Sequence, residues 1–364
     1  MRKSIRGNFL RALKGAGIFD RVRDSNWRRS QLLILCYHSL AIDEENLWRP
    51  ALFLAPSRLR ERFEMLKQGG YHVLPLGEGL ERLHRHDLPP RSVALTFDDG
   101  TYDFHKLAFP LLREYGFPAT VYQTTYYCSR RMPVYSLICS YMLWKKREAT
   151  LNAAPSIGVA DNIRLDTPEN RQSALDQIVA FAEREQLSTD QKNGLAADLA
   201  QRLGIDYDGL LRQRILQLMT PEEIAELAAA GINFELHTHR HRTPRDQALF
   251  VKEIRDNRDA LQAITKKRPT HFCYPSGDYD LMFLPWLAEE GVVSATTCDP
   301  GLTSARSTPL LLPRFIDTTA QTPLEFESWL TGVGALVSRG GIAARFASRA
   351  TVTTSPITTR KGRR

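Results

Sequence analysis

The sequence predicts an α/β fold: a (β/α) barrel, in a distorted seven-stranded variant, that carries an inserted helical subdomain. Three observations support this prediction. Short apolar runs of strand length alternate with helical patterns along most of the 364 residues, as in folds built on a parallel sheet. The polar segments that could carry chemistry directly follow such runs. One long segment, about 128–219, interrupts the alternation with helical patterns alone.

The predicted strands are continuous apolar runs, as expected where helices cover both faces of a sheet. In chain order they are 32–37, 71–74, 92–97, 119–122, 232–236, 272–274, 292–295 and 311–316. Helical patterns separate most of them, at 57–68, 78–86, 104–115, 221–230, 244–264 and 280–289. Seven or eight β-α units in succession favour a barrel or a closed variant of one.

Two helix ends carry specific signals. Gly116 follows the helix predicted at 104–115 and is expected to cap it, because glycine adopts the left-handed conformation easily. Thr220, Pro221 and Glu223 form an N-terminal signature, with an N-cap, a proline at the first helical position and a capping-box glutamate. This signature predicts where the alternation resumes after the insert.

The net charge of +8 lies at the two ends of the chain. Residues 1–30 and 339–364 each carry about +7, which leaves about −6 for residues 31–338. We expect 31–338 to form the folded domain, including the insert, and 339–364 to be a basic disordered tail. Basic ends can contact anionic lipid. No nucleic-acid recognition motif accompanies them, so no nucleic-acid partner is expected.

Residues 1–30 form a basic amphipathic pattern in which Phe9 and Leu13 alternate with Arg6, Arg11 and Lys14. Such a segment can lie on a membrane surface, or it can dock on the body of its own protein. Charges interrupt it throughout, so it does not resemble a secretory signal. The five cysteines include no Cys-x-x-Cys pair. We therefore expect a cytoplasmic protein with reduced thiols, with the inner face of the membrane as the alternative location.

The segment Thr96-Phe97-Asp98-Asp99-Gly100 is the most informative part of the chain. Two adjacent carboxylates after a buried strand are unfavourable unless a cation offsets their charge. His237 and His241 lie four residues apart after another predicted strand, close enough to bind one ion. These residues together predict a metal site in which one aspartate is a ligand and the other a base.

The chemically suggestive segments all follow predicted strands. They are His38, Asp98-Asp99, His237 to His241, and Tyr274 to Gly277. In parallel α/β folds the carboxyl ends of the strands meet at one edge, where active sites are built. We therefore expect these residues to form one site.

With these motifs the sequence resembles the NodB-like polysaccharide deacetylases, a family of carbohydrate esterases. The first family motif, T-F-D-D-G, is matched at residues 96–100, and the second, H-[ST]-x-x-H, by His237, Thr238 and His241. Tyr274-Pro275-Ser276-Gly277 resembles a variant of the third motif, and Leu312-Pro313-Arg314 a late segment of some members. The resemblance covers roughly 31–127 and 220–330, outside the insert.

The resemblance implies a role for each of these residues. Asp98 would be the general base, and Asp99, His237 and His241 would hold one divalent metal ion, most often zinc. The backbone N–H near Ser276 would help to stabilise the oxyanion. Tyr274, Pro275, Ser276, Gly277 and Arg314 would bind substrate. The implied reaction is the removal of acetyl groups, mostly N-acetyl, from a glycan.

Two departures from the family pattern concern the proton transfers. The third motif usually supplies an arginine that orients the base, but here that position is Cys273; Arg314 could act in its place. The family's late L-x-H motif, which supplies a general acid, is absent because the last histidine is His271. His38 is the candidate acid or else a hydrogen-bonded core histidine, and Asp278 and Asp299 are alternatives.

Three functions are compatible with the sequence. The first is a metal-dependent deacetylase in surface or exopolysaccharide synthesis, acting on a glycan or a lipid-linked saccharide. The second is a carbohydrate-binding protein that keeps the metal site but has little catalysis, as the two departures would suggest. The third is an amidohydrolase of a small molecule, with the insert closing over the cleft.

Overall fold

The computed structural model describes residues 2–338. The strands in this part of the chain are β1 (Leu33–Tyr37), β2 (Ser39–Leu40), β3 (Phe53–Leu54), β4 (His72–Leu74), β5 (Ser92–Phe97), β6 (Thr120–Gln123), β7 (Thr150–Leu151), β8 (Ile163–Arg164), β9 (Asn233–Leu236), β10 (His271–Cys273), β11 (Ser294–Thr296) and β12 (Phe315–Ile316). The α-helices are α1 (Arg2–Gly15), α2 (Ile18–Arg23), α3 (Asn26–Arg29), α4 (Glu45–Trp48), α5 (Pro56–Gln68), α6 (Leu76–Arg85), α7 (Phe109–Tyr115), α8 (Tyr135–Lys145), α9 (Pro168–Arg184), α10 (Thr189–Leu203), α11 (Tyr207–Arg212), α12 (Pro221–Ala229), α13 (Gln247–Thr265), α14 (Phe283–Glu289) and α15 (Pro323–Thr331).

The main sheet is parallel and curled, with the strand order β11-β10-β9-β6-β5-β1-β12. Strand β4 pairs with the first half of β5, on the edge opposite β1. A parallel bridge between Thr296 and Leu312 brings the segment before β12 back to β11. The sheet therefore curls towards closure, and the predicted distorted (β/α) barrel is confirmed.

The apolar runs form strands because both faces of the sheet are covered. All residues of β1 and β5 are buried. One apolar cluster combines Ile34, Ala94, Tyr122, Cys273 and Leu312 from five segments of the barrel, and a larger cluster joins the strands to the surrounding helices. This double burial fixes the register and brings the carboxyl ends of the strands to one rim.

The insert has a hydrophobic core of its own. Helices α8 to α11 pack around Ile138, Met142, Leu175, Ile178 and Leu199. The sequence suggested helices alone, but the short strands β7 and β8 form an antiparallel pair. Each has only two residues, too few for a period-2 pattern to appear in the sequence.

The two predicted helix ends are present. Gly116 has a φ of 67° and caps α7, and Thr220 and Glu223 form the reciprocal capping box of α12. The helix predicted at 104–115 begins instead as a π-helical turn, Phe104–Ala108. Pro110 explains this difference, because proline lacks the N–H of a regular helix and its ring displaces the carbonyl one turn earlier.

The N-terminal helix α1 docks on the body of the protein. Leu10 and Phe19 are buried against Val333, and Lys14 forms an ion pair of 2.6 Å with Glu327 of α15. Phe9 stays half exposed. No helix within the described residues is long and apolar enough to cross a membrane. The tail predicted at 339–364 lies outside the described residues.

Candidate active site

The predicted site residues lie at the carboxyl ends of four strands. Strand β1 leads into His38, β5 into Asp98 and Asp99, β9 into His237, and β10 into the loop that starts at Tyr274. The backbone N–H of Asp98 donates to the carbonyl of Tyr37, which ties the first two strand ends together. Parallel pairing therefore brings these residues to a common rim.

Asp99, His237 and His241 form a compact group of three metal-binding side chains. Oδ1 of Asp99 lies 3.2 Å from Nε2 of His237 and 3.1 Å from Nε2 of His241. Asp99 and His241 both have positive φ, 70° and 55°. These turn conformations aim side chains from two loops at one point, and such strained residues are concentrated at functional sites.

The ring of His237 is fixed by its other nitrogen. Nδ1 donates to the carbonyl of Cys273 at 2.9 Å, so Nε2 is the nitrogen that faces Asp99. The backbone N–H of His237 donates to Asn257 of α13, whose amide group in turn donates to Gln123 and Thr125. Sequence reasoning missed Asn257, which lies 20 residues downstream in a helix that carries no motif.

A divalent cation fits this group. Oδ1 of Asp99 is buried and has no hydrogen-bond partner among the described residues, although it faces two imidazole nitrogens. Burial alone would raise the pKa of Asp99, but the two imidazoles hold it well below its usual range. One carboxylate and two imidazoles are ligands that zinc prefers. His241 is 38% exposed, which leaves the group open on one side.

Asp98 lies beside this group and forms a bidentate ion pair with Arg314. The guanidinium donates to both carboxylate oxygens, at 2.7 and 2.8 Å. Asp98 is 2% exposed and Arg314 is fully buried. Burial would raise the pKa of Asp98, but the charge and hydrogen bonds of Arg314 lower it strongly. Asp98 is therefore ionised and held in one orientation.

The family model described as polysaccharide deacetylase matches this chain at residues 85–152 and 191–293, which contain both motifs. In these two segments the chain belongs to the polysaccharide deacetylase family. It is 30% identical over 95 residues to the poly-beta-1,6-N-acetyl-D-glucosamine N-deacetylase of Escherichia coli (strain K12). That match covers 26% of this chain and 14% of the relative, so it concerns only a small part of the larger protein.

Two solved structures share the fold of this chain. The Streptococcus pyogenes deacetylase PplD in complex with acetate has a TM-score of 0.54 and 19% identity, covering 83% of this chain and 97% of that one. IcaB from Ammonifex degensii has a TM-score of 0.51 and 16% identity, covering 84% and 97%. At these identities the likeness concerns the fold alone.

Arg314 reaches Asp98 from the segment just before β12. Cys273 stands at the position where the resemblance implies an arginine, and Nη2 of Arg314 lies 3.1 Å from the Cys273 thiol while it binds Asp98. The sequence suggested Arg314 both as a substrate-binding residue and as a substitute for that arginine. Because its side chain is fully buried on Asp98, only the second role fits.

His38 borders Asp98. Its Nε2 lies 3.8 Å from Oδ2 of Asp98, and its side chain is 16% exposed. This distance is within reach of a hydrogen bond after a small movement or through one water. His271 cannot take the place of the missing late histidine, since it is buried at the start of β10 and bonds to Ser294. Of the two aspartates named as alternatives, Asp278 accepts a hydrogen bond from Thr243 and Asp299 accepts one from Tyr279.

The third-motif loop forms one wall of an opening beside His241. Ser276 and Gly277 have positive φ, 57° and 67°. Pro275 and Ser276 line a cavity of about 340 Å³ next to His241. Tyr274 was predicted to bind substrate, but it is buried and its hydroxyl donates to the carbonyl of Leu310. Tyr274 therefore supports the loop from the buried side and does not line the opening.

Proposed function

We propose that this protein is a metal-dependent hydrolase that removes acetyl groups, mostly N-acetyl, from a glycan in surface or exopolysaccharide biosynthesis. The observation that carries the proposal is the group of Asp99, His237 and His241 beside the buried carboxylate of Asp98. The name of the Escherichia coli relative supports an N-acetylglucosamine polymer as the substrate class. A lipid-linked saccharide would present the same acetamide group.

Each residue has a distinct task in this reaction. Asp99, His237 and His241 would hold the ion, and zinc suits their donor set. A divalent ion held there would polarise the acetamide carbonyl and make the attacking water more acidic. Asp98, ionised and oriented by Arg314, would accept the proton of that water. The N–H of Ser276 would stabilise the developing oxyanion.

His38 would protonate the leaving amine. It lies next to Asp98 on the same rim and is partly exposed, as a residue that meets substrate must be. In amide hydrolysis the nitrogen must be protonated before the amine can leave. A site that had Asp98 as base but no group to donate this proton would therefore turn over slowly. The acid therefore determines whether this site prefers amides or esters.

Acetate release tests the proposal. The full chain, loaded with Zn²⁺ and checked by elemental analysis, is incubated with β-1,6-linked N-acetylglucosamine oligomers, and acetate is quantified. We expect release that stops with a chelator and in Asp98→Asn. Asp87→Asn, at an exposed carboxylate away from the rim, is the matched control. A metal-loaded protein that stays inert on N- and O-acetylated glycans would contradict the proposal.

A carbohydrate-binding protein with little catalysis is the second candidate. The bidentate bond from Arg314 lowers the pKa of Asp98 strongly, and a weakly basic carboxylate is a poor proton acceptor. This candidate predicts that the wild-type protein binds the oligomers as tightly as Asp98→Asn does and releases no acetate. Measurable acetate release by the wild type would exclude it.

Location and membrane contact complete the proposal. We place the protein in the cytoplasm, with peripheral contact to an anionic membrane through its basic ends. Support comes from the charge of residues 1–30 and from Phe9 and Arg11, which stay exposed although α1 docks on the protein. Co-sedimentation of the full chain with anionic but not with neutral vesicles would support this contact. Equal recovery with both would count against it.

A further inference from the structure

A second cavity lies between the insert and the loop that follows β6. Its volume is about 490 Å³, larger than the opening beside His241. Tyr126 and Tyr127 form the wall nearest the barrel, and residues of α8, α9, α10 and α11 form the other walls. Part of this lining, residues 179–189, falls between the two segments that the family model matches. The cavity thus lies where the inserted helical subdomain meets the loop after β6.

The lining combines aromatic faces with hydrogen-bonding groups. Besides Tyr126 and Tyr127, it contains Tyr135 and Tyr207. The hydroxyl of Tyr135 is buried and interacts with the thiol of Cys139, whereas Ser136 of the same helix lines the cavity. Asn193 accepts a hydrogen bond of 2.6 Å from Tyr207, which fixes the amide's orientation and leaves its N–H₂ as a donor. Tyrosines offer flat apolar faces and polar edges, as do sugar rings.

The cavity is tied directly to the loop that carries the metal-binding histidines. The backbone N–H of Tyr126 donates to the carbonyl of His239 at 2.8 Å, and Thr125 bonds to Nδ1 of His239, also at 2.8 Å. The rings of Tyr126 and His239 meet edge to face, with centroids 5.5 Å apart. His239 is two residues from His241, a span of at most about 7 Å. One wall of the cavity therefore contacts the loop that carries His241.

The charges favour a neutral ligand over a phosphate. Arg130 lies over the ring of Tyr126, 4.8 Å from its centroid, and donates to the hydroxyl of Thr189. Lys192 faces the same cavity as the carboxylate of Glu183. The lining thus lacks the unengaged pair of cations that would bind a phosphate group from two sides.

We infer that this cavity is a subsite for a second sugar unit of the acetylated glycan whose first unit is deacetylated at Asp99, His237 and His241. The inference rests on the proposed function and deepens it, because it would make oligomers better substrates than single sugars. The aromatic wall would stack on a sugar ring, and the polar groups of α8 and α10 would bind its hydroxyls. Binding energy gained there would hold the reacting unit against the base.

Filling the cavity tests the inference. Lys192→Trp on α10 and Glu183→Trp on α9 each place a large side chain in the lining. The matched control is Gln201→Trp, on an exposed position of α10 outside the cavity. We measure kcat/KM on N-acetylglucosamine, which has no second unit to occupy the cavity, and on the pentamer of β-1,6-linked N-acetylglucosamine. Both cavity variants should lose about tenfold or more on the pentamer and change less than twofold on the single sugar, whereas the control should match the wild type on both.

A binding measurement keeps this test independent of turnover. In an Asp98→Asn background, saturation-transfer NMR with the pentamer should show contacts that disappear when Lys192→Trp is added. Undiminished contacts, or cavity variants that behave like Gln201→Trp on the pentamer, would overturn the inference. Competition by inorganic pyrophosphate would also overturn it, because it would assign the cavity to a phosphate. If the wild type binds the pentamer through the cavity but releases no acetate, the proposed hydrolysis fails and the subsite stands.

Discussion

The pairing of Arg314 with Asp98 gives the sharpest prediction. Arg314→Met keeps most of the volume but removes both hydrogen bonds to the carboxylate, 2.7 and 2.8 Å long. His38, at 3.8 Å, is then the nearest potential cation. Leaving one partner of a buried ion pair alone costs about 3–5 kcal/mol in the free energy of unfolding. We expect a loss of that size, measured by urea unfolding at pH 7.

The same substitution should affect catalysis through the orientation and charge of Asp98. A positioned general base contributes about 10²–10⁴-fold to the rate, and this is the expected loss in kcat. Without Arg314, burial is the dominant influence and raises the pKa of Asp98. A base must be ionised, so the acidic limb of the kcat/KM profile should move to higher pH. The assay is acetate release from pH 5 to 9.

Arg62→Met separates stability from catalysis. Arg62 and Asp317 form an equally buried ion pair, with Nε 2.8 Å from Oδ2, and the hydrogen bonds of Arg62 go to Asp317 and Gln321 and not to Asp98. This variant should lose a similar amount of stability and keep the kcat and pH profile of the wild type. If Arg314→Met retained the wild-type acidic limb and kcat while folded, the assignment of Arg314 as the residue that positions Asp98 would be wrong.

Three further predictions address the metal, the acid and a buried carboxylate. His237→Gln and Asp99→Asn should reduce bound zinc from about one equivalent to near zero by elemental analysis, whereas His239→Gln should retain it, because His239 bonds to Thr125 and not to the group. His38→Gln should lower kcat by about 10²–10⁴ on an N-acetyl substrate but much less on p-nitrophenyl acetate, whose leaving group needs no proton; equal losses would indicate a structural role. Burial raises the pKa of Asp103 to about 7, so its folded pKa lies above the unfolded value of 3.8. The free energy of unfolding should therefore fall as pH rises from about 4 to 7, and Asp103 should account for on the order of 4 kcal/mol of this fall. Urea unfolding of the metal-free protein at several pH values should show a weaker pH dependence in Asp103→Asn.

The rim could be predicted from sequence because its determinants are local. The run before Asp98 forms a strand because it is apolar throughout, and Thr220 with Glu223 starts a helix through contacts three residues apart. Because the carboxyl ends of parallel strands lie at one edge of the sheet, assigning the strands is enough to predict that Asp99 and His237 lie close together. The π-helical turn before Pro110 escaped prediction, since the pattern around it remains helical.

The supporting contacts could not be predicted, because they join residues far apart in the chain. Asn257 holds the backbone of His237 from α13, and no local pattern marks it. Tyr274 belongs to a motif-like segment, but its burial depends on packing against Leu310, 36 residues later. The predicted site residues lie in short motifs that can be found in the sequence. The residues that support them can be found only from the fold, because distant parts of the chain bring their side chains into contact.

Arg314 links the closure of the barrel to the chemistry of the base. The residues before it bridge to β11 through Leu312, and those after it pair with β1 in β12. Its guanidinium therefore enters the barrel at the seam where the two ends of the sheet meet, and there it reaches Asp98 and the thiol of Cys273 together. A larger side chain at position 273 would occupy the space that the guanidinium fills, so the small cysteine and the displaced arginine require one another. Arg314 can orient Asp98 from the segment before β12 because the carboxylate needs only a buried bidentate partner, whichever segment supplies it.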